Sequence, residues 1–304
     1  MADIKIYGTL KNATESNKIA LASQVYDEAQ EKFQSEINQE IKSAIPPKLR
    51  VASWNIGGFS LGTSGVPSIT PADEAEMSAK WHTALNELGA DLLCTCEYNT
   101  EFMDAQEGYP AINARDEIFT EDIFKYAAIG PKLTVNRAMQ TAIFANMLMS
   151  NQQKVDFPQT TQAGRYYEVV DIYIAGKLVK VAAIHLDFNQ GSTDAEKEQS
   201  HLNRIAQINK LITDFSAYPY VILAGDYNIS IDNTDDYDYF KNAGYGMVNH
   251  AYCGDILTYP AGDAARSPLD NIVYKGFVSH KVDTLNDDTL SDHMSIFAEL
   301  TMIL

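Results

Sequence analysis

Five short polar motifs follow one another along this chain, and each lies at the end of an apolar run with the length of a buried strand. A single carboxylate or histidine at the end of a strand is common. Carboxylates are rarely buried without a partner or a metal, so five such strand ends meeting at one edge of a core would form a functional site. The motifs are Ser53-Trp54-Asn55, Cys96-Glu97, His185-Leu186-Asp187, Gly225-Asp226-Tyr227-Asn228 and Ser291-Asp292-His293.

In this order, and together with the segment Leu269-Asp270-Asn271-Ile272-Val273, the motifs resemble those of the endonuclease/exonuclease/phosphatase superfamily. That superfamily includes pancreatic deoxyribonuclease, neutral sphingomyelinases, inositol polyphosphate phosphatases and the deadenylases. The resemblance extends over residues 49–304. It implies a catalytic domain there with an α/β fold, a four-layer α/β/β/α sandwich whose site lies at one end of the two sheets. The mixture of strands, hairpins and a few long helices also favours two sheet layers with helices outside.

The local pattern predicts several elements of that sandwich. We expect helices over Ala72–Leu88, with Gly89 as a C-cap, and over Thr193–Phe215, where apolar residues recur every three or four positions. A strand is predicted over Thr141–Met149, and the pair Gly176-Lys177 is expected to form a hairpin turn.

The resemblance implies a metal site. Glu97 matches the principal metal-binding glutamate of the superfamily, Asn55 matches the asparagine beside that metal, and Asp292 is expected near it. Because carboxylates and amides are hard oxygen ligands, the expected cofactor is Mg²⁺ or Mn²⁺.

The resemblance also implies a catalytic set. Asp226 would orient or deprotonate the attacking water, Asn228 would contact the phosphate, and His185 would bind the scissile phosphate or act as an acid toward the leaving group. His293 follows Asp292 directly, so the two side chains need not face each other, and Asp270 is the carboxylate expected to orient the histidine. Two positions depart from the pattern of the superfamily: Tyr227 replaces the more frequent phenylalanine, and Asn271 stands where an aromatic residue often follows the aspartate.

The charge of the chain bears on its substrate. A formal net charge of −18 repels polyphosphates and anionic membranes at long range, although a local basic patch and a bound cation can override it. The histidine at position 185 favours the branch of deoxyribonucleases, sphingomyelinases, inositol phosphatases and deadenylases. We therefore expect a phosphodiesterase, with nucleic acid as the favoured substrate. The alternatives are a lipid or small-molecule phosphoesterase and, in another class, a structural or binding module attached to a virion.

Residues 1–48 differ from the rest of the chain. Residues 16–45 predict one amphipathic helix, which Pro46-Pro47 must end. The part from Lys18 to Ile41 resembles N-terminal segments of bacteriophage tail- or capsid-attached proteins. We expect this segment to dock the enzyme or to join copies of it, as a homo-oligomer or within a viral assembly.

Other features of the sequence predict where the protein is located and the redox state of its cysteines. No stretch reaches 18 apolar residues, and the N-terminus lacks a basic region followed by an apolar one. These observations predict no membrane span and no secretory signal, with a cytoplasmic or virion-associated location. Three cysteines are too few for a disulfide framework, and we expect them to be reduced.

Overall fold

The computed structural model describes residues 46–60, 68–132, 140–158, 165–188, 193–250, 255–262 and 265–304. The helix predicted over residues 16–45 lies outside these ranges, so its docking role and its similarity to phage proteins stay predictions. Within the described ranges, no helix has the length and apolarity that a membrane crossing requires.

Strands make up most of the regular structure in the described residues. The strands are β1 Lys48–Asn55, β2 Leu92–Tyr98, β3 Glu101–Met103, β4 Ile112–Asn113, β5 Tyr126–Ile129, β6 Gln140–Ala145, β7 Ser150–Asp156, β8 Tyr166–Ile174, β9 Lys177–His185, β10 Val221–Asp226, β11 Gly246–Met247, β12 Asp270–Lys275, β13 Phe277–Leu285 and β14 Ser295–Met302. The α-helices are α1 Glu74–Leu88, α2 Ala114–Glu117, α3 Asp194–Phe215 and α4 Asp238–Asn242, and short 3₁₀ helices cover Gly57–Phe59 and Ile231–Tyr237.

Two six-stranded sheets form the centre of the fold. Their strand orders are β13-β14-β1-β2-β6-β5 and β11-β12-β10-β9-β8-β7. Each sheet has one parallel pair at its middle, β1 with β2 in the first and β9 with β10 in the second, and the flanking pairs are antiparallel. Because parallel neighbours end at the same edge, each pair delivers two strand ends to one side of its sheet.

The apolar side chains divide into three clusters, which define four layers. One cluster lies between the sheets and takes side chains such as Val51, Ile143 and Val181 from both of them. A second packs α1 against the outer face of the first sheet, and a third packs α3 against the outer face of the second. The predicted four-layer α/β/β/α sandwich is confirmed.

Capping residues and apolar periodicity predicted the two long helices. The α1 helix ends at Gly89, which has the left-handed conformation (φ 54°) expected of a C-cap. The α3 helix begins after Thr193, whose hydroxyl accepts a bond from the Glu196 backbone N–H, while Glu196 accepts one from the Thr193 N–H.

The predicted strand over Thr141–Met149 is too long, and the hairpin turn was misplaced by one residue. The β6 strand ends at Ala145, and the next strand, β7, was missed because its side chains are polar and exposed along the sheet edge. The hairpin between β8 and β9 turns at Ala175 and Gly176, both of which have positive φ values, rather than at the expected Gly176-Lys177 pair.

Gly225 is a packing requirement of the second sheet. A Cβ atom at this position would lie 1.8 Å from the carbonyl oxygen of Ile184 on the neighbouring β9 strand. The obstacle is backbone, so no side-chain rotation can relieve it. The glycine lets β10 approach β9 closely just before Asp226.

We predict that Gly225→Ala lowers the free energy of unfolding by about 3 kcal/mol, because the added methyl group forces two paired strands apart. At about 2–4 °C per kcal/mol for a domain of this size, thermal unfolding should shift down by roughly 6–12 °C. Gly176→Asn is the control, because that turn position is open and asparagine tolerates its positive φ. An unfolding midpoint for Gly225→Ala within 2 °C of wild type would contradict this account.

Candidate active site

The motif residues meet at one edge of the two sheets. Asn55 ends β1 and His185 ends β9, while Asp226 ends β10 directly beside His185 in the parallel register. Asp270 begins the antiparallel β12 strand and lies opposite Asp226. The topology therefore joins residues that are more than 200 positions apart in the sequence.

Asn55 connects the two sheets through its side-chain amide. Its Nδ2 group donates to Oε1 of Glu97 at 3.2 Å and to Oδ2 of Asp226 at 3.1 Å, and it lies 3.4 Å from Nε2 of His293. Its Oδ1 atom accepts from the backbone N–H of Gly57 at 3.1 Å, which fixes the orientation of the amide. In this orientation Asn55 presents its nitrogen to the carboxylates and holds two of them in place.

Asp270 and His293 form a buried pair that faces Asp226. Nδ1 of His293 lies 2.8 Å from Oδ2 of Asp270, and Nε2 on the other side of the ring lies 3.9 Å from Oδ2 of Asp226. All three residues are buried. The pairing fixes the ring orientation, so that Nε2 points toward the second carboxylate.

The loop that carries His293 is fastened to the end of β1. The hydroxyl of Ser291 donates to the carbonyl of Asn55 at 2.6 Å and accepts from the His293 N–H at 3.1 Å. The indole N–H of Trp54 donates to the carbonyl of His293 at 3.0 Å. These bonds explain why Ser291 and Trp54 occur in the motifs: they set the backbone that positions Asn55 and His293.

Glu97 and Asn228 hold unusual backbone conformations. Their φ values are 51° and 52°, in the left-handed region that L-residues seldom adopt. At Glu97 this accompanies an irregularity in the pairing of β2 with β6, between Thr95 and Tyr98. Bulges of this kind often redirect a side chain beside an active site, and backbone strain is concentrated at functional positions.

His185 lies between two of the carboxylates. Its Nε2 atom is 3.8 Å from Oε1 of Glu97 and 3.8 Å from Oδ2 of Asp226. Arg165 holds the backbone of His185 and of the residue after it. Its Nη1 atom donates to the carbonyls of His185 at 3.3 Å and Leu186 at 2.7 Å.

Asp187 is the centre of a buried polar network that sequence reasoning left without a role. Its carboxylate is 3.4 Å from Nε of Arg165 and accepts from Nδ2 of Asn203, while its backbone N–H donates to Gln207. Arg204 donates to its carbonyl. The network ties the His185 loop to α3. The sequence signal for Asp187 was its place in the His185-Leu186-Asp187 motif.

Asn228 and Asp292 lie at the border of the cluster. The Asn228 backbone N–H donates to Oδ1 of Asp226 at 2.7 Å, and its side-chain amide donates to the carbonyl of Leu186 at 2.9 Å. The Asp292 side chain is exposed, and a Cβ atom on Gly57 would lie 3.6 Å from its Oδ1 atom, just beyond Asn55.

The two departures from the superfamily pattern have structural explanations. Asn271 points away from the site, and its Oδ1 atom accepts from the backbone N–H groups of Asn249 and Ile272. Asn249 in turn donates to the Asp270 carbonyl at 3.0 Å, so the asparagines brace the start of β12. Tyr227 is buried in the outer core of the second sheet, and its hydroxyl donates to the Leu223 carbonyl.

The burial of so many charges shifts their pKa values. Burial raises the pKa of Asp226 to about 7, with the charge of Asp270 adding to the effect and His293 opposing it. Burial works to lower the pKa of His293, but Asp270, Asp226 and Asp292 outweigh it and raise the pKa to about 10. Burial, then the positive charges of Arg165 and His293, hold the pKa of His185 well below its usual range. At neutral pH one histidine is therefore charged and the other is neutral.

A cation could bind at the Asp226, Asp270 and His293 cluster or at Glu97. The ligand atoms of Asp226, Asp270 and His293 all lie within 4.8 Å of one another. Their mutual pairing, and the protonation of His293, make this group better suited to proton transfer than to metal binding. The Glu97 side chain is 31% exposed, and one of its oxygens accepts from Asn55, which leaves lone pairs for a hard cation.

Solved structures with similar folds agree with this architecture. An endonuclease/exonuclease/phosphatase from Beutenbergia cavernae DSM 12333 has a TM-score of 0.60 and 17% identity, covering 84% of this chain and 72% of that one. Humanized D. rerio TDP2 has a TM-score of 0.59 and 15% identity, covering 84% and 99%. D. rerio TDP2 complexed with a single-strand DNA product has a TM-score of 0.57 and 15% identity, with the same coverage.

These similarities establish the fold. The chain has the sandwich fold of the endonuclease/exonuclease/phosphatase proteins. The sequence itself matches no family model and no curated protein.

We predict that Asp270→Asn lowers the pKa of His293 from about 10 toward its ordinary value, because the variant removes the carboxylate that stabilises the charged ring. Nuclear magnetic resonance titration of the imidazole signals in the presence of EDTA measures this directly. Asp255→Asn, beside His250, is the control and should leave the His293 titration unchanged. An unchanged pKa of His293 in Asp270→Asn would show that the pair does not govern its protonation.

Proposed function

We propose that this protein is a metal-dependent phosphodiester hydrolase and that its substrate is nucleic acid. The observation that carries the proposal is the geometry of the Asp270–His293 pair, which faces Asp226 at the same sheet edge as Glu97 and His185. Opposite protonation states of two neighbouring histidines supply both charged and neutral hydrogen-bond donors. This combination suits the hydrolysis of an anionic ester at neutral pH.

Glu97 and Asp292 are the residues we assign to the metal, with Asn55 holding the Glu97 carboxylate. Both are carboxylates near the cleft, and this donor set fits Mg²⁺ or Mn²⁺ better than zinc, which prefers cysteine and histidine. A divalent ion bound there would neutralise negative charge on the phosphoryl group and on the leaving oxygen.

The remaining residues have roles that follow from their surroundings. Asp226, with a pKa near 7, is suited to accept a proton from the attacking water. The His293 ring, held charged by Asp270, and the neutral His185 ring donate hydrogen bonds to the phosphoryl oxygens. The backbone N–H of Asn228 holds the Asp226 carboxylate, and its side-chain amide holds the loop after His185. We also assign Asn228 the contact with phosphate that the sequence predicts.

One observation supports nucleic acid among the phosphodiesters, and a second bears on the form of that substrate. D. rerio TDP2, which has a similar fold, has been crystallised with a single-strand DNA product. The net charge of −18 disfavours long-range attraction to extended polyanions, so a short or single-stranded substrate is more compatible with this surface than a long duplex.

A substrate panel tests the proposal. The protein is incubated with Mg²⁺ or Mn²⁺ and, separately, with single-stranded DNA, RNA, plasmid DNA, sphingomyelin, inositol phosphates and bis-p-nitrophenyl phosphate. Cleavage of the nucleic acids supports a nuclease. Hydrolysis confined to sphingomyelin or inositol phosphates would assign a lipid or small-molecule phosphoesterase instead. No hydrolysis of any ester would favour a non-catalytic binding module.

We predict that Glu97→Gln and His293→Ala each reduce kcat by at least about 10², the scale of a lost transition-state contact. The physical reasons are a weakened cation site in the first and a lost charged donor in the second. Glu87→Gln, an exposed position on α1, is the matched control. Full activity in excess EDTA, or near-wild-type rates in either variant, would refute the assigned roles.

We also propose that residues 1–48 dock the enzyme or join copies of it and take no part in catalysis. Every motif follows Pro46-Pro47, and a stripe containing Val25, Phe33 and Ile37 would need a covering partner if the predicted helix forms.

Removing residues 1–46 should therefore leave kcat within about twofold of the full chain while converting any assembly to a monomer. Activity assays and light scattering on the full chain and on residues 47–304 measure the two effects. If the shortened protein aggregates or loses activity, the segment belongs to the catalytic fold.

A further inference from the structure

A groove lies between the two sheets at the end of the sandwich away from the candidate site. The β12 strand begins with Asp270 at the site and ends at Lys275, roughly 17 Å away at the usual rise of a strand. The chain then turns at Gly276 and enters the other sheet as β13. The groove between β11 and β13 has a volume of about 770 Å³, and none of the residues assigned to catalysis lines it.

Both walls of the groove are edges of sheets. The β13 strand is the last of its sheet and pairs only with β14, and β11 pairs only with β12. The Ile303 N–H donates to the Gly276 carbonyl, which sets the alternation of the β13–β14 ladder. The N–H and C=O groups of Phe277 and Ser279 therefore face away from β14. They form no hydrogen bond with the part of the chain that the structure describes, so this edge can accept another strand.

The floor of the groove is apolar. Tyr274 and Phe277 belong to the core between the sheets, and Ile256 and Val282 pack against that core while remaining partly exposed. Ile303 lies on the rim and is 55% exposed. A strand placed beside β13 points every second side chain toward this floor, so apolar residues suit those positions.

The charge of the groove differs from that of the whole chain. The described residues that line it include Lys275, His280 and Lys281 but no aspartate or glutamate, although the chain has 41 acidic residues. Lys275 donates to the Ser216 carbonyl rather than to a carboxylate. Lys281 pairs with Glu299, but its side chain is 77% exposed, so water screens the pair. A bound strand with acidic side chains would complement these cations.

We propose that this groove binds an extended peptide that adds a strand to the free edge of β13. Alternate apolar side chains of the peptide lie on the floor, and the acidic side chains between them face His280 and Lys281. In strand addition, main-chain hydrogen bonds supply affinity and the side-chain contacts supply specificity. The inference goes beyond the proposed hydrolase function and does not depend on it.

The shape and charge of the edge favour a peptide over a second copy of this chain. The register of β13 shifts between His280 and Asp283, and Lys281 has a φ of 47°. Irregularities and lysines on an edge strand discourage long edges from pairing with each other. The net charge of −18 also repels a second copy. A short peptide needs only the regular part of β13, from Phe277 to His280.

A model peptide tests the charge preference. The probe is a fluorescein-labelled peptide of about eight alternating valine and glutamate residues, the length of an ordinary strand. Its binding to the full chain is followed by fluorescence anisotropy. We expect saturable binding at least about tenfold tighter than that of the matching valine–lysine peptide, because the cations of the groove repel the latter. Equal binding of the two peptides, or no saturation below about 1 mM, would overturn the proposal.

Methylated peptides test the backbone pairing on the unaltered protein. One version is N-methylated at every valine and the other at every glutamate. Because only alternate N–H groups of a strand face its neighbour, one version should bind at least about fivefold more weakly than the other, at about two- to tenfold for each lost bond. Equal affinity of the two versions would show that the peptide does not pair with a strand edge.

Ser279→Pro tests the same edge from the side of the protein. Proline removes an N–H that faces away from β14, so the β13–β14 ladder is kept, and its ring occupies the place of the added strand. Binding of the valine–glutamate peptide should weaken at least about tenfold. Ser279→Ala keeps the N–H and loses only the bond from the Tyr274 hydroxyl, so it should bind within about twofold of wild type. Wild-type affinity in a folded Ser279→Pro protein would overturn the proposal.

A charge reversal and its control complete the test. Lys281→Glu should reduce the preference for the glutamate peptide at least about threefold. Lys241→Glu makes the same change in net charge at an exposed lysine on α4 and should leave the preference unchanged. An equal effect of the two variants would show that net charge alone, and not the groove, selects the peptide.

Light scattering distinguishes the other occupant of the edge. If the full chain forms a dimer that Ser279→Pro converts to a monomer, the free edge of β13 holds a second copy and the peptide proposal is wrong. The same oligomeric state in both proteins, with peptide binding lost in the variant, is the expected result.

Discussion

Three carboxylates lie close together at one sheet edge, and most of the surrounding structure stabilises them there. Asp226 and Asp270 are buried, and Glu97 is only partly open to the cleft. A buried carboxylate without partners is costly, so each needs a donor or a counter-charge. Asn55 donates to two of the three, and His293 pairs with the third. Much of the surrounding structure therefore supplies donors and counter-charges that let these carboxylates lie out of water without all of them losing their charge.

The same constraint explains why the supporting shell is so extensive. Arg165 lies under the His185 loop and contributes a positive charge, while Asp187 keeps that arginine paired. Trp54 and Ser291 fix the loop of His293 from the opposite sheet. Arg165, Trp54 and Ser291 bind backbone carbonyls or amides near the site rather than the functional side chains. They therefore set geometry and leave the reactive atoms of the carboxylates and imidazoles available.

The chemical division of labour depends on how differently the two histidines are placed. His293 has a buried carboxylate on each side of its ring, which favours its charged form. Burial, with the positive charges of Arg165 and His293, lowers the pKa of His185 and favours its neutral form. An anionic interior of this kind fits the proposed phosphodiester substrate only if binding depends on local contacts, because the net charge of −18 disfavours long-range attraction.

The sequence by itself determined a good part of this result. The resemblance of the motifs to those of the endonuclease/exonuclease/phosphatase superfamily implied the four-layer sandwich, and periodicity with capping residues predicted the helices α1 and α3. The helix signals are local, so they can be read without knowing which strands pair. Strands such as β7 and β13 were missed because they lie at sheet edges, where polar side chains remove the alternation that marks a buried strand.

Only the tertiary structure decided how the motif residues relate to one another. The pairing of His293 with Asp270, the contacts of the Asn55 amide with Glu97 and Asp226, and the Arg165–Asp187 network all depend on contacts between strands and loops far apart in the chain. A motif specifies which groups are present, whereas distances, protonation states and exposed faces depend on the register of paired strands and the loops between them. The sequence thus determined the chemistry available at the site, and the packing of the two sheets decided how it is arranged.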